Sequence, residues 1–404
     1  MKSPDRRSPR MAAIPRRSLL KGAAALGLGL PLLSAVRAAP AAADPGLART
    51  LVLVELSGGN DGLNTVVPYT DPAYYGTRPG LAVDRDRVLQ LDEKLGLHPN
   101  LKPLMPHWQA GELAVVLGLG YRRPNRSHFR SIEIWNTASE SEQTLQDGWL
   151  HRAIIEAGGL PQGLGSLGVV LGGPVGPLAG EALTPVVLKD SKQLQTATRL
   201  LDGRDGQSAN PALDHILAVR RQARDAAGRL TTALESAKQV KSNFPKSPLG
   251  RQLRLAAAVI AARAPAAVIK VQHSGYDTHA NQAARHPRLL ADLGASLSAF
   301  AKVLKKAGAW DRCLVVTYAE FGRRVAQNGS GGTDHGTAAP HFLLGGKLRG
   351  GLYGHQPSVG ALEGGDLIHS LDFRQLYATL AQGWLDLPPA VNTFGRQKPL
   401  PVIA

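Results

Sequence analysis

The sequence predicts an α/β fold in which a mostly parallel sheet carries helices on both faces. Two observations predict it: short, nearly continuous apolar runs recur along the chain, and stretches with helical spacing lie between them. Such runs are typical of strands that are buried on both faces of a sheet. Strands that alternate with helices favour parallel pairing, and parallel sheets bind ligands at the carboxyl ends of their strands.

Five apolar runs are predicted as strands. Glycine or polar residues follow most of them, as expected where a strand gives way to a loop. In chain order the runs are Leu51–Leu56, Leu113–Gly118, Ala266–Val271, Cys313–Thr317 and His341–Leu344.

Helical spacing is clearest at Arg288–Lys306, and Pro211–Val240 and Leu249–Arg263 are also predicted as helices. The alternation is interrupted by a Gly/Pro-rich stretch, Leu160–Gly180, and by the charged helical stretch after it. We therefore predict an inserted cap region at about residues 139–247.

The first 43 residues are predicted to be a twin-arginine signal peptide and linker, so that the α/β domain occupies residues 44–404. Arg16 and Arg17 precede an uncharged run, Gly22–Val36, which is shorter than the roughly 20 apolar residues of a membrane-spanning helix. Small residues follow it, as signal peptidases require. We expect export by the twin-arginine translocase to the periplasm or beyond, with no stable membrane insertion.

Charge and cysteine content restrict the ligands. Residues 1–38 hold eight of the 47 Lys and Arg and one of the 31 Asp and Glu, so the formal charge of +16 falls to +9 without them. This excess favours anionic ligands, but it forms no basic helix, so nucleic acid is not an expected partner. The single cysteine, Cys313, excludes a thiol-based metal site.

Candidate metal-binding residues lie near four of the predicted strand ends. Carboxylates and imidazoles would suit a divalent metal such as zinc, manganese or calcium. The first candidate, Asp61, lies in a Gly-rich stretch, where a simple turn that binds no metal is an open alternative. The candidate metal ligands are Asp61, Asp277, His279, Glu320, Asp334, His335 and His341.

After the second strand, Ser127 stands beside His128 at the predicted start of a helix. A serine there is ordinarily a helix cap, but the same position favours a nucleophile or a bound anion. Both interpretations stay open. Arg126 and Arg323 would stabilise negative charge on a phosphoryl or sulfuryl group.

Six segments closely resemble the bacterial family called domain of unknown function 1501 (DUF1501). The resemblance covers nearly all of the chain after the signal peptide. The segments are Leu53–Thr65, Asn125–Phe129, Gly275–His279, Ala319–Arg323, Thr333–Gly336 and Asp372–Tyr377.

That family resembles a divergent branch of the alkaline phosphatase and sulfatase superfamily. The resemblance implies an alkaline-phosphatase-like fold, with Ser127 as nucleophile and Asp61, Asp277, His279 and His335 as metal ligands.

The sequence also departs from the superfamily pattern. Glu320-Phe321-Gly322 stands where superfamily members usually carry Asp-His-Gly, so one histidine ligand is missing. Asp334 or His341 would compensate for it.

The sequence therefore predicts a metal-dependent hydrolase of small anionic esters, phosphate or sulfate, with Ser127 as nucleophile. One alternative is a non-catalytic exported binding or assembly protein that retains the fold. Another is an esterase that uses Ser127 and His128 and is insensitive to chelators, although the Gly-x-Ser-x-Gly motif of such enzymes is lacking.

Overall fold

A nine-stranded sheet forms the centre of the protein in this computed structural model. The structure describes residues 49–160, 166–183, 185–188, 228, 231, 243–264 and 266–404. The twin-arginine segment and the helix predicted at Pro211–Val240 lie outside these ranges, apart from two isolated residues of the latter.

Fourteen strands are found among the described residues, and most of the short ones lie at the margins of the fold. In chain order they are β1 (Thr50–Ser57), β2 (Val66–Val67), β3 (Leu89–Gln90), β4 (Gly96–Leu97), β5 (Leu113–Gly120), β6 (Val169–Val170), β7 (Val186–Val187), β8 (Val268–Ser274), β9 (Cys313–Tyr318), β10 (Ala339–Gly345), β11 (Gly351–Tyr353), β12 (Leu362–Glu363), β13 (Asp366–Leu367) and β14 (Leu371–Asp372).

The α-helices that the described ranges contain vary from single turns to a helix of 25 residues. They are α1 (Gly62–Thr65), α2 (Pro72–Thr77), α3 (Met105–Gln109), α4 (His128–Thr137), α5 (Trp149–Glu156), α6 (Pro248–Ala261), α7 (Gln282–Lys306), α8 (Phe373–Ala378) and α9 (Val391–Phe394).

The main sheet has the order β11-β5-β10-β9-β1-β8-β6-β7, and β14 also pairs with β5. All of these pairings are parallel except those of β10, which runs antiparallel to both β5 and β9. The mostly parallel sheet is therefore confirmed, and all five predicted strands belong to it. β5 and β9 are both antiparallel to β10, so β5 runs in the same direction as β9 and therefore as β1 and β8.

Helices cover both faces of this sheet, as predicted. Alternate side chains of β1 point to opposite faces, so that Val52 and Val54 join one hydrophobic cluster while Leu51 and Leu53 join another. Helices α6 and α7 pack on the first face, and α4, α5 and α8 pack on the second. Helix α7 begins at Gln282, six residues before its predicted start.

Much of the predicted insertion at 139–247 lies outside the described residues. Its described part contributes α5 to the hydrophobic core and β6 and β7 to the edge of the main sheet. The two strands extend the sheet and α5 packs against its second face, and the inserted cap stays a prediction for the rest of this region.

Cys313 begins β9, which lies between β1 and β10 at the middle of the sheet. The thiol is fully buried, and burial raises its pKa. None of the described helices is both long and apolar enough to cross a bilayer.

Candidate functional site

Loops from five strands meet at one edge of the main sheet. The loops that follow β1, β5, β8 and β9 share this edge because these strands run in one direction. β10 is antiparallel, so the loop that precedes it lies at the same edge. A backbone bridge between Arg323 and His335 joins the loop after β9 to the loop before β10.

Gly58 allows two of these loops to approach each other closely. It has a φ of +114°, and a Cβ at this position would collide with the backbone of Asp277. Its N–H donates a hydrogen bond of 2.9 Å to Glu320 Oε1. Gly58 therefore sets the spacing between the loops that carry Asp277 and Glu320.

Three histidines face a single carboxylate oxygen at this edge. The Nε2 atoms of His128, His279 and His335 lie 3.5, 3.1 and 3.2 Å from Asp277 Oδ1. We refer to these four residues as the imidazole cluster. Ligand atoms of His128, Asp277 and His335 lie within 4.8 Å of one another, close enough to hold one metal ion.

In each histidine of the imidazole cluster, Nε2 faces Asp277 and the other ring nitrogen, Nδ1, contacts an oxygen. Ionised carboxylates and carbonyl groups only accept hydrogen bonds, so each ring can donate a proton from Nδ1 to the oxygen behind it, which leaves Nε2 available to a metal ion. Such contacts behind a histidine are typical of metal ligands. The contacts are His128 Nδ1 to Glu320 Oε1 at 2.8 Å, His279 Nδ1 to Asp334 Oδ1 at 3.2 Å, and His335 Nδ1 to the Arg126 carbonyl at 2.8 Å.

The imidazole cluster fits a divalent cation. With Nδ1 protonated, the Nε2 atoms of His279 and His335 each present a lone pair, and these atoms lie only 2.8 Å apart. Two lone pairs at this distance repel unless a cation or a proton lies beside them. Imidazoles with one carboxylate suit zinc or manganese, whereas the third expected metal, calcium, takes oxygen ligands.

The carboxylate of the cluster is a permanent anion at neutral pH. Burial raises the pKa of Asp277, but the hydrogen bond and charge of Arg323 outweigh burial and lower the pKa to about 2. The hydrogen bond with Glu320 raises the pKa of His128, whereas burial lowers that of His335. An anionic oxygen thus lies among three ring nitrogens.

Glu320 and Asp334 were expected to bind metal directly, but each lies behind a histidine. Glu320 is buried, and its Oε1 atom contacts both His128 and the Gly58 N–H. Asp334 Oδ1 contacts His279 and accepts a hydrogen bond of 3.0 Å from Asn328. These two carboxylates therefore orient imidazoles.

Arg323 does not contact solvent, which corrects its expected role as an anion-binding residue. Its guanidinium is fully buried and donates to the carbonyl oxygens of Gly59, Thr333 and Tyr276, and to Asp277. These contacts tie the ligand loops together. Of the two expected arginines, Arg126 remains half exposed, although it pairs with Asp366 at 3.0 Å.

Asp61 and His341, two further predicted ligands, lie apart from the imidazole cluster. Asp61 is fully buried and forms an ion pair with Arg78. His341 lies inside β10, where neither ring nitrogen has a hydrogen-bond partner among the described residues. Burial lowers the pKa of His341 to about 3, so the ring is neutral and packs against Trp135.

Ser127 lies at the border of the imidazole cluster. It occupies the N-cap position of α4, but its exposed side chain makes no capping hydrogen bond. The residues on either side, Arg126 and His128, both contact the cluster. Since both ring nitrogens of His128 face carboxylates, of Glu320 and Asp277, the ring is not oriented as the base of a Ser127–His128 pair.

An open cavity of about 850 Å³ lies beside the cluster. His128, Asp277 and Glu320 form part of its wall, and Phe129 and Ile132 of α4 form another part. The Phe129 side chain is 88% exposed, unusual for so large an apolar group. Its described lining includes the carboxylates of Glu55, Glu133, Asp277 and Glu320 and neither Lys nor Arg, so the cavity disfavours the anionic group of a ligand.

Sequence reasoning missed three features of this site. His128 was predicted as a catalytic residue and its place beside Asp277 in the imidazole cluster was not foreseen, although its position at the first turn of α4 follows from the Ser127 N-cap. Phe129 carried no signal beyond its adjacency to His128. Nothing in the sequence indicated that Arg78 would pair with Asp61.

One comparison with known proteins identifies a family, and none shows an activity. A family model described as "Protein of unknown function (DUF1501)" matches residues 48–382. No curated protein matches the chain.

Several solved structures show remote similarity. A protein in the alkaline phosphatase superfamily from Vibrio parahaemolyticus is 12% identical, with a TM-score of 0.37, covering 87% of this chain and 70% of that one. The alkaline phosphatase of the Antarctic bacterium TAB5 is 13% identical, with a TM-score of 0.34 and coverage of 76% and 94%. A phosphonate monoester hydrolase from Silicibacter pomeroyi is 12% identical, with a TM-score of 0.35 and coverage of 87% and 76%.

Proposed function

The chain belongs to the DUF1501 family, and from that premise we propose that it is an exported, metal-dependent hydrolase of phosphate or sulfate esters. Ser127 is the proposed nucleophile. The observation that carries the proposal is the imidazole cluster, whose three histidines surround one carboxylate with each Nδ1 atom held by an oxygen. Such a cluster beside a free serine hydroxyl and an open cavity suits ester hydrolysis.

The metal would be held by the four residues of the imidazole cluster. When bound, a divalent ion in such a site polarises an ester oxygen and neutralises charge on the phosphoryl or sulfuryl group. Glu320 and Asp334 keep His128 and His279 in the tautomer that presents Nε2 to the ion.

The chain's own residues perform the proposed displacement. The Ser127 oxygen forms a bond to phosphorus or sulfur, its proton passes to solvent or to the leaving alkoxide, and the bond to the leaving alcohol breaks. Water then cleaves the seryl ester and restores the hydroxyl. The N–H groups in the first turn of α4, which the Ser127 side chain does not cap, and the half-exposed Arg126 favour the negative charge of the transferred group.

The N-terminal sequence supports export. The Arg16-Arg17 pair and the short apolar run after it are typical of a twin-arginine signal. We propose that the translocase exports the protein to the periplasm or beyond.

The test is a hydrolysis assay on the purified protein with aryl phosphate monoesters, phosphate diesters and sulfate esters, with and without zinc or manganese. We expect metal-stimulated hydrolysis that is lost on chelation and in Ser127→Ala. Ser358→Ala, at another exposed serine, is the matched control. Metal-independent hydrolysis would indicate an esterase, and a protein inert toward every ester would indicate a non-catalytic binding protein. Either result would overturn the proposal.

A further inference from the structure

We propose that the imidazole cluster holds a single metal ion, and that the Arg78 guanidinium permanently occupies the place of a second cation beside Asp61. The proposal rests on the metal dependence of the proposed function and adds the number of ions and the role of Asp61. It departs from the expectation that Asp61 is a metal ligand.

A buried carboxylate such as Asp61 needs a positive partner. Its side chain is fully buried, and an isolated charge there is far less stable than in water. Arg78 Nη1 lies 2.6 Å from Asp61 Oδ2, and the Arg78 side chain is fully buried as well. The pair therefore neutralises its own charge without a metal.

Other contacts fix Arg78 in this position. Its Nε atom donates to the Val325 carbonyl at 2.7 Å, and its Nη2 atom donates to the Arg324 carbonyl at 2.7 Å. Nη1 also donates to Asn64 Oδ1 at 2.8 Å. A guanidinium does not lose its proton in proteins, so this positive charge persists at any physiological pH.

The carboxylate oxygens of Asp61 are also occupied. Oδ1 accepts from the Asn64 N–H at 3.3 Å, and Oδ2 accepts from both Arg78 and the Gln282 amide. A metal ion at Asp61 would have to displace a buried cation and break these hydrogen bonds. Two cations cannot share this fully buried carboxylate without strong repulsion.

Through Gln282, Asp61 supports the loops that carry the metal ligands. Gln282 Oε1 accepts hydrogen bonds from Thr278 at 2.9 Å and from Thr333 at 2.6 Å. Thr278 lies between Asp277 and His279, and Thr333 is two residues before His335. Asp61 is thus a positioning residue, which acts on the ligands of the ion without touching it.

The test counts ions on the full chain without any substrate. Metal-free protein is titrated with zinc by calorimetry, and bound zinc is then measured by elemental mass spectrometry. We expect one ion per chain in the wild type and none in His335→Ala. Two tightly bound ions per chain would overturn the proposal.

A double variant, Asp61→Asn with Arg78→Gln, tests the role of the pair. It removes both charges together, so that no unpaired buried charge remains. We expect it to bind one ion. Any loss of zinc affinity should equal the loss in Gln282→Ala, which breaks the same hydrogen bonds between Asp61 and the loops that carry the metal ligands. Complete loss of zinc from a folded double variant, with zinc retained by Gln282→Ala, would show that Asp61 is a ligand. If the double variant does not fold, the wild-type ion count decides alone.

Failure of this inference is distinguishable from failure of the proposed function. A protein that binds one ion but hydrolyses no ester refutes the function alone. A hydrolase that binds two ions refutes the single-ion inference alone.

Discussion

The Nε2 atoms of His279 and His335 face each other at 2.8 Å, while their Nδ1 atoms contact Asp334 and the Arg126 carbonyl. With the protons on Nδ1, the two facing lone pairs are stable only beside a cation or an additional proton. A divalent ion bound by both nitrogens, as proposed above, would meet this requirement.

Chelation should therefore destabilise the protein. A ligand that binds only the folded state stabilises it by roughly 2.7 kcal/mol when its free concentration is 100 times the Kd. We expect the melting temperature to fall on adding a chelator and to recover with zinc. His279→Ala should abolish the zinc response, and His355→Ala, at an exposed histidine outside the cluster, should keep it. A zinc response that persists in His279→Ala would contradict the assignment.

Glu320→Gln should weaken metal binding without removing a ligand. The variant keeps the size of the side chain but loses the charge that holds His128 Nδ1 at 2.8 Å. Loss of such a supporting group typically lowers metal affinity by roughly 10- to 100-fold. Zinc titration by calorimetry measures the effect, with the exposed Glu363→Gln as control. Equal affinities in the two variants would show that Glu320 does not support the site.

Phe129→Ala should change substrate preference and leave stability unaltered. Its ring is 88% exposed at the wall of the cavity, so little buried area is lost. Contact between aromatic rings is worth about 0.5–1.5 kcal/mol, so we expect KM to rise up to about tenfold for aryl esters. Methyl esters should be little affected. The control, Ile368→Ala, changes another exposed apolar residue and should leave the KM for both kinds of ester unchanged. An equal loss of kcat for aryl and methyl esters in Phe129→Ala would argue for a different role.

Gly58→Ala should damage both stability and the imidazole cluster. The added Cβ meets the Asp277 backbone at a φ of +114°. Gly308→Ala is the matched control, since Gly308 also has a positive φ, +61°, but faces open space. Gly308→Ala should lower the free energy of unfolding, measured in urea, by about 1 kcal/mol from backbone strain alone. We expect a larger cost and weaker zinc binding in Gly58→Ala, and equal costs would show that the close approach to Asp277 is unimportant.

His341 should make the protein less stable in acid. Its folded-state pKa, about 3, lies below the ordinary value of 6.5, so between these pH values the unfolded state binds a proton that the folded state excludes. Stability therefore falls as pH drops below 6.5. At pH 5 the contribution is on the order of 2 kcal/mol. Urea unfolding measures the free energy of unfolding at pH 7.5 and pH 5. This free energy should fall less between the two pH values in His341→Leu than in the wild type, and equal falls would contradict the burial argument.

The fold was predictable because apolar runs specify buried strands. Leu51–Leu56 and Cys313–Thr317 contain enough β-branched and apolar residues to mark β1 and β9 within two residues of their ends. The direction of β10 was not predictable, because an apolar run reads the same in parallel and antiparallel pairings. His341 was misassigned for a related reason: β10 begins at Ala339, so the residue points into the core.

The candidate site was predictable in composition but not in the roles of its members. Motif spacing brings Asp277, His279 and His335 to one edge of the sheet. It does not show which charges find partners inside the protein. Asp61 and Arg323 were expected to face ligands, but they are neutralised by Arg78 and Asp277. Such pairings depend on residues 17 and 46 positions away, which local patterns do not encode.

The position of Cys313 has a consequence for following the protein in solution. The thiol lies fully buried in the central strand β9, and no second cysteine exists with which it could exchange. A thiol reagent added to the folded protein can react only when the hydrophobic cluster between the sheet and helices α6 and α7, which buries this thiol, opens. The rate of labelling therefore measures how often this part of the core opens, without an engineered probe.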